Sequence, residues 1–309
     1  MKNIYHIDKK ITQTEEITDK TWISIVEPTE EDKNFLLEEL KIPVAFYNDI
    51  EDIDERPRIE VEDDWTFVLL RIPHKTTNEK SPFITVPLGI IYNDDYFVTV
   101  SFYKADLLQD FVNYYSTRKT IEETDNLNLI MRFHLSASVW FLKYLKQINI
   151  QIKTAENDLE RSIKNEDLQT LFNLEKSLVY FNTSLRGNEI LLFRFKSSKK
   201  IKNVLEEELL EDVEIELKQA IESSHIFNDI LSGMMNAYAS VISNNLNVIM
   251  KRLTSISIIL MIPTLIASIY GMNVTNHLER NPNGIYLILL GSFLLSILGV
   301  WLFLKKKWI

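Results

Sequence analysis

The sequence contains no cysteine, and its five histidines show none of the paired spacings that are typical of metal ligands. Disulfide bonds and thiolate-bound metal centres are therefore excluded. No glycine-rich loop of the Walker type is present, so no motif indicates a nucleotide partner or an ATP-driven reaction. We expect neither an enzyme nor an organic cofactor. The histidines are His6, His74, His134, His225 and His277.

Positive charge is also scarce, since the chain carries a formal net charge of −10 at pH 7. Binding to nucleic acid requires a basic surface, so a nucleic-acid partner is not expected. An acidic protein instead raises the concentration of cations around itself. Residues 1–16 have no apolar core and do not resemble a signal peptide, so we expect the N-terminal part to remain in the cytoplasm.

Charge is absent from two apolar runs near the C-terminus, Leu253–Tyr270 and Ile285–Leu304. Runs of roughly 18 to 20 residues can cross the apolar core of a bilayer, about 30 Å thick, as helices. Lys251 and Arg252 precede the first run, and Lys305–Lys307 follow the second. By the positive-inside rule we predict a multi-pass protein of the cell membrane, with cytoplasmic N- and C-termini and a short external loop.

The first part of the chain has the pattern of a mixed α/β domain. Asn93–Asp95 indicates a hairpin turn, and the Thr29–Asp32 segment indicates the capped start of an amphipathic helix. Runs rich in β-branched and aromatic residues predict strands. The expected strands are Trp22–Val26, Thr66–Ile72, Leu88–Tyr92 and Tyr96–Phe102.

The pattern becomes helical from residue 126 onward. Apolar residues at three- and four-residue steps predict a buried stripe, and Lys164–Asp167 predicts the tip between two antiparallel helices. Between Glu207 and Tyr270 the only proline is Pro263, so we predict one continuous helix of roughly 95 Å that joins the soluble part to the membrane. The residues of the predicted stripe are Leu135, Val139, Leu142, Leu145 and Ile148.

The predicted architecture is therefore an α/β N-terminal cytoplasmic domain followed by a helical hairpin, a long stalk helix and two C-terminal transmembrane helices. The expected segments are the α/β domain (1–125), the hairpin (126–204), the cytoplasmic part of the stalk helix (205–252), the first membrane helix (253–273), the external loop (274–284), the second membrane helix (285–304) and the basic tail (305–309).

Small and polar residues lie on one face of the first membrane helix, at alternating three- and four-residue steps. Such residues either line an aqueous pore or pack membrane helices together, and the spacing alone leaves both interpretations open. Two spans cannot enclose a channel, so a pore would need a ring of subunits that each contribute this helix. We call this face the polar stripe; its residues are Asn247, Met250, Thr254, Ser257, Met261, Thr264 and Ser268.

Three features near the C-terminus occur together. They are Tyr270-Gly271-Met272-Asn273 at the end of the first membrane helix, Ser243-Asn244, Asn247 and Met250-Lys251 in the segment before it, and the lysine-rich tail. Together they resemble the CorA family of magnesium and cobalt channels. The resemblance implies a funnel-shaped homopentamer that takes up hydrated Mg²⁺ passively, driven by the membrane potential, with Co²⁺ and Ni²⁺ as further ions.

The resemblance also assigns roles within the pore. Asn273 would form the entrance filter, and Gly271 would permit the backbone turn that places it at the mouth. Magnesium holds its water strongly, so neutral oxygens at this filter would contact the hydrated ion without stripping it. The expected filter is Tyr270, Gly271, Met272 and Asn273. The family's pore positions match at Asn247, Met250, Leu253, Met261 and Thr264, with methionine and leucine as a dry constriction, and Lys305, Lys306 and Lys307 would form a basic ring.

In the family, divalent ions bound between neighbouring cytoplasmic domains hold the pore shut, so Mg²⁺ would be both substrate and regulatory ligand. Asp49 matches the first regulatory position, but Asn48 and Asn236 stand where acids are usual. Because Mg²⁺ sites rely on carboxylates, we expect weaker inhibition, or the use of Asp212 or Asp229 instead.

Two alternatives remain open. The first is a zinc transporter of the same superfamily, although that branch typically has isoleucine where Met272 stands, and His277 in the external loop could bind Zn²⁺ weakly. The second is a membrane-anchored divalent sensor without transport. Anchoring alone would not require polar residues along one face of the membrane helix.

Overall fold

A computed structural model of the chain describes residues 1–18, 21–77, 80–121, 125–161, 165–197, 204–272 and 282–306. These residues form two compact units, Met1–Gly233 and Met234–Ile309. The first unit contains a seven-stranded sheet with the strand order β2-β1-β3-β7-β6-β5-β4, in which only β3 and β7 pair in parallel. The strands are β1 (Lys2–Ile7), β2 (Ile11–Thr14), β3 (Thr21–Val26), β4 (Arg58–Glu62), β5 (Trp65–Lys75), β6 (Phe83–Tyr92) and β7 (Phe97–Ser101).

The described residues also form seven α-helices. Helix α1 continues as one π-helical segment, Phe35–Glu39, and α6 contributes residues to both units. The helices are α1 (Glu30–Asn34), α2 (Val44–Glu51), α3 (Asp106–Thr117), α4 (Asn126–Arg161), α5 (Asn165–Ser197), α6 (Glu207–Tyr270) and α7 (Gly284–Lys305).

The local predictions for the sheet are confirmed. All four expected strands form, with β5 and β6 longer than predicted, and β6 pairs with β7 as an antiparallel hairpin. At its turn, the Asn93 side chain accepts the backbone N–H groups of Asp95 and Tyr96 at 3.0 and 2.8 Å. Thr29 caps α1 with a reciprocal pair of hydrogen bonds to Asp32.

Successive residues of β3 point to opposite faces of the sheet, as expected for a strand. Ile23 packs into an apolar cluster that includes Phe46 of α2. Trp22 faces the other side, where its indole N–H donates to Thr99 at 2.8 Å and its ring meets Phe111 of α3 and Phe133 of α4. The sheet is therefore covered by helices on both faces.

The helices α4 and α5 run antiparallel, as predicted. His134 of α4 contacts the Asn188 carbonyl of α5. About two turns further along α4, the ring centre of Phe141 lies 5.0 Å from that of Phe181. The Asn188 side chain also accepts from and donates to the backbone of Arg71, at 3.0 and 2.8 Å, which fixes α5 on β5. The predicted tip lies partly outside the described residues, because α5 begins at Asn165.

The predicted buried stripe of α4 is wrong in part. Val139 is 44% exposed, whereas Leu145 and Ile148 are buried. The three consecutive three-residue steps from Val139 to Ile148 carry the line about 180° around a helix with 3.6 residues per turn, so the five residues do not share one face. The buried face instead consists of Phe133, Ala137, Phe141, Tyr144 and Ile148.

The start of α6 is anchored on α4 by polar contacts. The Asn128 amide donates to the Val204 carbonyl at 3.1 Å and accepts the Glu206 N–H at 2.9 Å. Arg132, only 3% exposed, forms an ion pair with Glu206. A buried charge is costly unless it is paired, so this ion pair is expected to matter for folding.

We predict that replacing Glu206 with alanine lowers the free energy of unfolding by about 3 kcal/mol, because a buried guanidinium loses its carboxylate. A matched control is Glu222→Ala, which removes an exposed pair with Lys218 on the same helix and should cost no more than about 0.5 kcal/mol. Denaturation of the purified protein measures both. Equal losses would show that the Arg132 contact has no special weight.

The second unit begins at Met234 and contains the rest of α6 and the whole of α7. Helix α6 is continuous over 64 residues, which confirms the predicted long helix. Both α6 and α7 contain segments long and apolar enough to cross a membrane. Within α6, Pro263 has no N–H to donate to the Ile259 carbonyl one turn earlier.

Candidate functional site

The polar stripe occupies one side of α6. With 100° between successive residues, Ser257, Met261, Thr264 and Ser268 fall within an arc of about 60°. Of the whole stripe only Ser257 is partly buried, and the other members are exposed. In the single chain the stripe is therefore exposed, as are many apolar residues of the same part of α6, among them Leu253, Leu260 and Leu265.

The hydroxyl groups of the stripe use their protons within the helix. Ser257 donates to the Leu253 carbonyl at 2.9 Å, and Thr264 donates to the Leu260 carbonyl at 3.1 Å. Each hydroxyl oxygen keeps lone pairs that can still accept hydrogen bonds. Since the water molecules around a cation present their hydrogens outward, such acceptors suit a hydrated cation.

Helix α7 packs against the other side of α6. A side-chain carbon at Gly299 would lie 3.3 Å from Ile262 and 3.9 Å from Ile259. These two isoleucines, with the fully buried Ser255, centre on a direction about 140° around the helix from the stripe. The contact between the two apolar helices therefore leaves the polar stripe free.

The end of α6 is described as far as Met272. The helix ends at Tyr270, and the N–H groups of Gly271 and Met272 still donate to the Ala267 and Ile269 carbonyls, at 2.9 and 3.4 Å. Gly271 has no positive φ, and a side-chain carbon there would lie 3.2 Å from the Ala267 carbonyl oxygen. The predicted turn that places Asn273 at the mouth of the pore extends beyond the described residues.

Several predicted residues lie outside the described part of the chain. Asn273, most of the external loop and Lys307 belong to this group. Lys305 and Lys306 are described and exposed, and the Lys305 ammonium lies 5.0 Å from the Trp301 ring centre. The assignment of Asn273 as the filter therefore continues to rest on the sequence.

Asp49, the first predicted regulatory residue, is held by an arginine. The Arg58 guanidinium contacts the carboxylates of Asp49, Glu55 and Glu60 at 2.5, 2.5 and 3.0 Å. Burial raises the pKa of Asp49 above its usual value; Arg58 opposes this rise, and Glu55 and Glu60 add to it. A cation that binds Asp49 therefore competes with Arg58 for the charge of this carboxylate.

The other regulatory candidates are exposed and lie along α6. Asp212 and Asp229 belong to the first unit, and Asn236 belongs to the second. Asp212 and Asp229 are 17 residues apart, about 25 Å along a helix, so one ion cannot contact both within a chain. Among the described residues, no group of three or more histidines and acids could hold a metal ion.

No pattern in the sequence indicates the contact between Arg58 and Asp49, because the two residues belong to different elements, β4 and α2. The burial of Arg71 was not predicted either. This arginine lies in the apolar strand β5, and only the folded structure shows that it is 7% exposed.

Comparison with known proteins supports the fold and identifies the family. The model of the family described as CorA-like Mg²⁺ transporter protein matches residues 18–306. The cobalt/magnesium transport protein CorA of Methanocaldococcus jannaschii is 25% identical over 292 residues, which cover 93% of this chain and 91% of that protein. The protein of the same name from Thermotoga maritima is 24% identical over 273 residues, covering 84% and 75%.

Solved structures confirm the predicted fold class. The complete structure of the M. jannaschii CorA magnesium transporter matches with a TM-score of 0.84 and 23% identity, and covers 100% of this chain and 99% of that one. The cytoplasmic domain of ZntB from Vibrio parahaemolyticus matches at 0.59 with 12% identity, covering 79% and 98%. Because the family match extends over nearly the whole sequence, the chain belongs to the CorA-like Mg²⁺ transporter family, a family of ion transporters and not of enzymes.

Proposed function

We propose that this membrane protein mediates the passive uptake of hydrated Mg²⁺, driven by the membrane potential, with Co²⁺ as a second ion. The observation that carries the proposal is the polar stripe of α6, whose hydroxyl oxygens stay free as acceptors while α7 packs on the opposite side. The names of the M. jannaschii and T. maritima relatives support the choice of ions.

The proposed pore is formed by a ring of identical chains, each contributing α6. Two apolar helices cannot enclose a path, and the family resemblance favours a pentamer. In this ring the stripe faces the axis, and Met250, Leu253 and Met261 form the dry constriction. Lys251 and Arg252 on one helix and Lys305–Lys307 after the other favour a cytoplasmic location for both termini.

The filter in this proposal consists of neutral oxygens. No acid occurs between Leu253 and Asn273, so a carboxylate ring within the span cannot select the ion. The Asn273 amide and nearby carbonyl groups would accept hydrogen bonds from the ion's own water shell. The potential supplies the driving force, since a divalent ion gains about 4.6 kcal/mol per 100 mV.

Uptake by purified protein in liposomes that contain a Mg²⁺-sensitive dye tests the proposal. We expect Mg²⁺ to enter when a potassium diffusion potential makes the interior negative, without any nucleotide. Entry of Zn²⁺ but not Mg²⁺ would favour the zinc transporter. The absence of both fluxes, in protein that still binds divalent ions, would favour the membrane-anchored sensor.

We further propose that internal divalent ions inhibit the pore by binding between Asp49 of one chain and α6 of the next. Arg58 competes for Asp49 within its own chain, and Asn236 offers an amide in place of a carboxylate. Both features weaken the attraction for Mg²⁺, so half-inhibition should require more Mg²⁺ than in relatives with two acids. Asp212 and Asp229 are the acids of α6 that could supplement the site.

Replacing Asn236 with aspartate should lower the half-inhibiting concentration of internal Mg²⁺ by about tenfold, which corresponds to about 1.4 kcal/mol. Currents recorded from inside-out patches at increasing Mg²⁺ measure the shift. Gln219→Glu serves as the control, because it adds the same charge to an exposed position of α6, about 25 Å away along the helix. Equal shifts in both variants would mean that the effect is general electrostatics and not a site at Asn236.

A further inference from the structure

A groove of about 900 Å³ lies between the segment around β4 and helix α5, entirely within the first unit. Five of the chain's arginines line it, and none of its lysines does. Arginine is the residue that binds phosphate and carboxylate groups in a bidentate manner, so this selection indicates more than general positive charge. The five residues are Arg56, Arg58, Arg71, Arg186 and Arg194.

Two of these arginines are already neutralised. Arg58 contacts three carboxylates, and Arg186 contacts Glu189 at 2.9 Å. Arg56 and Arg194 are exposed, and neither forms an ion pair within the part of the chain that the structure describes. Asp54 and Glu55 also line the groove, but Glu55 is held by Arg58. Arg56 and Arg194 therefore contribute positive charge that no ion pair neutralises, in a chain whose net charge is −10.

Arg71 adds a buried charge to the groove. Its side chain donates to the carbonyl of Ile53, and to the carbonyl and hydroxyl oxygens of Thr85 at 2.6 and 2.9 Å. All these acceptors are neutral, and no carboxylate within ion-pair distance of Arg71 occurs in the described residues. The carboxylates of Asp54, Asp52 and Glu55 lie beyond ion-pair distance and offset part of the charge of Arg71. A buried cation without a carboxylate in direct contact still attracts anions, because little solvent screens it.

The two sides of the groove are held in contact. A side-chain carbon at Gly187 of α5 would lie only 2.8 Å from Pro57, so the Arg56–Arg58 segment sits directly on the helix. Tyr180 and the exposed apolar side chains of Val179 and Ile190 continue the lining. The groove thus offers the held guanidinium groups of Arg58 and Arg71 and the exposed ones of Arg56 and Arg194 next to an aromatic and apolar surface.

We propose that this groove binds a soluble multivalent phosphate anion with an aromatic body, of the class of nucleoside triphosphates. Arg56 and Arg194 bind the phosphates, and Tyr180 contacts the base. The positive charge of the buried Arg71 attracts the phosphates electrostatically. The lack of a Walker motif excludes a phosphate loop but not this arginine-based mode. The proposal does not depend on transport, and it would make the cytoplasmic domain sensitive to an anion that itself binds Mg²⁺.

Isothermal titration of the full-length protein in detergent, with ATP as the probe and EDTA present, tests this inference. EDTA removes divalent ions, so binding cannot be mediated by a regulatory metal. We expect saturable binding that weakens about tenfold or more in the Arg56→Gln/Arg194→Gln double variant. Arg118→Gln, an exposed arginine outside the groove, should bind ATP as the wild type does. Arg56 and Arg194 are both exposed, and an unchanged melting temperature of the double variant confirms that it is folded.

Further arms separate the sources of phosphate. Inorganic triphosphate should bind through the same arginines but more weakly than ATP, and Tyr180→Ala should remove that difference. The absence of ATP binding to the wild type would overturn the proposal, as would binding that persists in the double variant. Binding to vesicles of anionic phospholipid without binding to ATP would also overturn it, because the ligand would then be a lipid surface.

Discussion

Replacing Asn273 with alanine is expected to lower Mg²⁺ uptake into liposomes by about tenfold or more. In a ring of subunits one substitution removes every amide of the proposed filter, so the hydrated ion loses all of these acceptors at once. Because no acid lies in the membrane helix to compensate, the loss falls directly on the capture of the ion.

Asn276→Ala provides the matched control for this filter. It removes the same amide group from the adjoining external loop, three residues beyond the motif, and should leave uptake within about twofold of the wild type, as expected for a group that does not contact the ion. Equal uptake by wild type and Asn273→Ala would retain a channel but remove Asn273 as its filter. Equal losses in both variants would indicate damage to the loop as a whole.

The parts of the fold that follow from local chemistry were predictable from the sequence. The capping box at Thr29, the turn at Asn93 and the uninterrupted helix up to Tyr270 each depend on residues within a few positions of one another. The two apolar helices were equally visible, because a run without charge has few alternatives to a bilayer. These features carry most of the architecture.

The features that were missed depend on contacts between distant segments. The buried face of α4 is determined by the sheet it covers, and aromatic rings such as Phe133 and Phe141 fill that contact in preference to Val139. The pairing of Arg58 with Asp49 joins β4 to α2. The position of Gly271 against the Ala267 carbonyl reflects close packing of the backbone, which composition does not reveal.

One continuous helix contains both the residues next to its anchor on α4 and the proposed pore face. The contacts of Asn128 and Arg132 hold the residues just before and at its start, and the same helix continues to Tyr270. The proposed divalent binding along its exposed side would therefore act on the element that carries the stripe. This connection gives the proposed inhibition a physical route without a separate moving part.

The proposed lining of the ion path by the polar stripe can be tested by the accessibility of cysteines introduced into α6. The chain has no cysteine of its own, so each introduced thiol is the only one present. Met261→Cys and Thr264→Cys place a thiol on the stripe, whereas Ile259→Cys and Ile262→Cys place one on the side that faces Gly299 of α7.

A cationic, membrane-impermeant methanethiosulfonate reagent, applied to protein in liposomes, is the measurement to make. We expect rapid modification of both stripe cysteines and a fall in Mg²⁺ uptake of about tenfold or more, because the attached bulky cations then obstruct the ion path. The cysteines facing α7 should stay unmodified, and their uptake should not change. If the stripe cysteines are unreactive and modification at Ile259→Cys or Ile262→Cys blocks uptake, the stripe does not line the ion path.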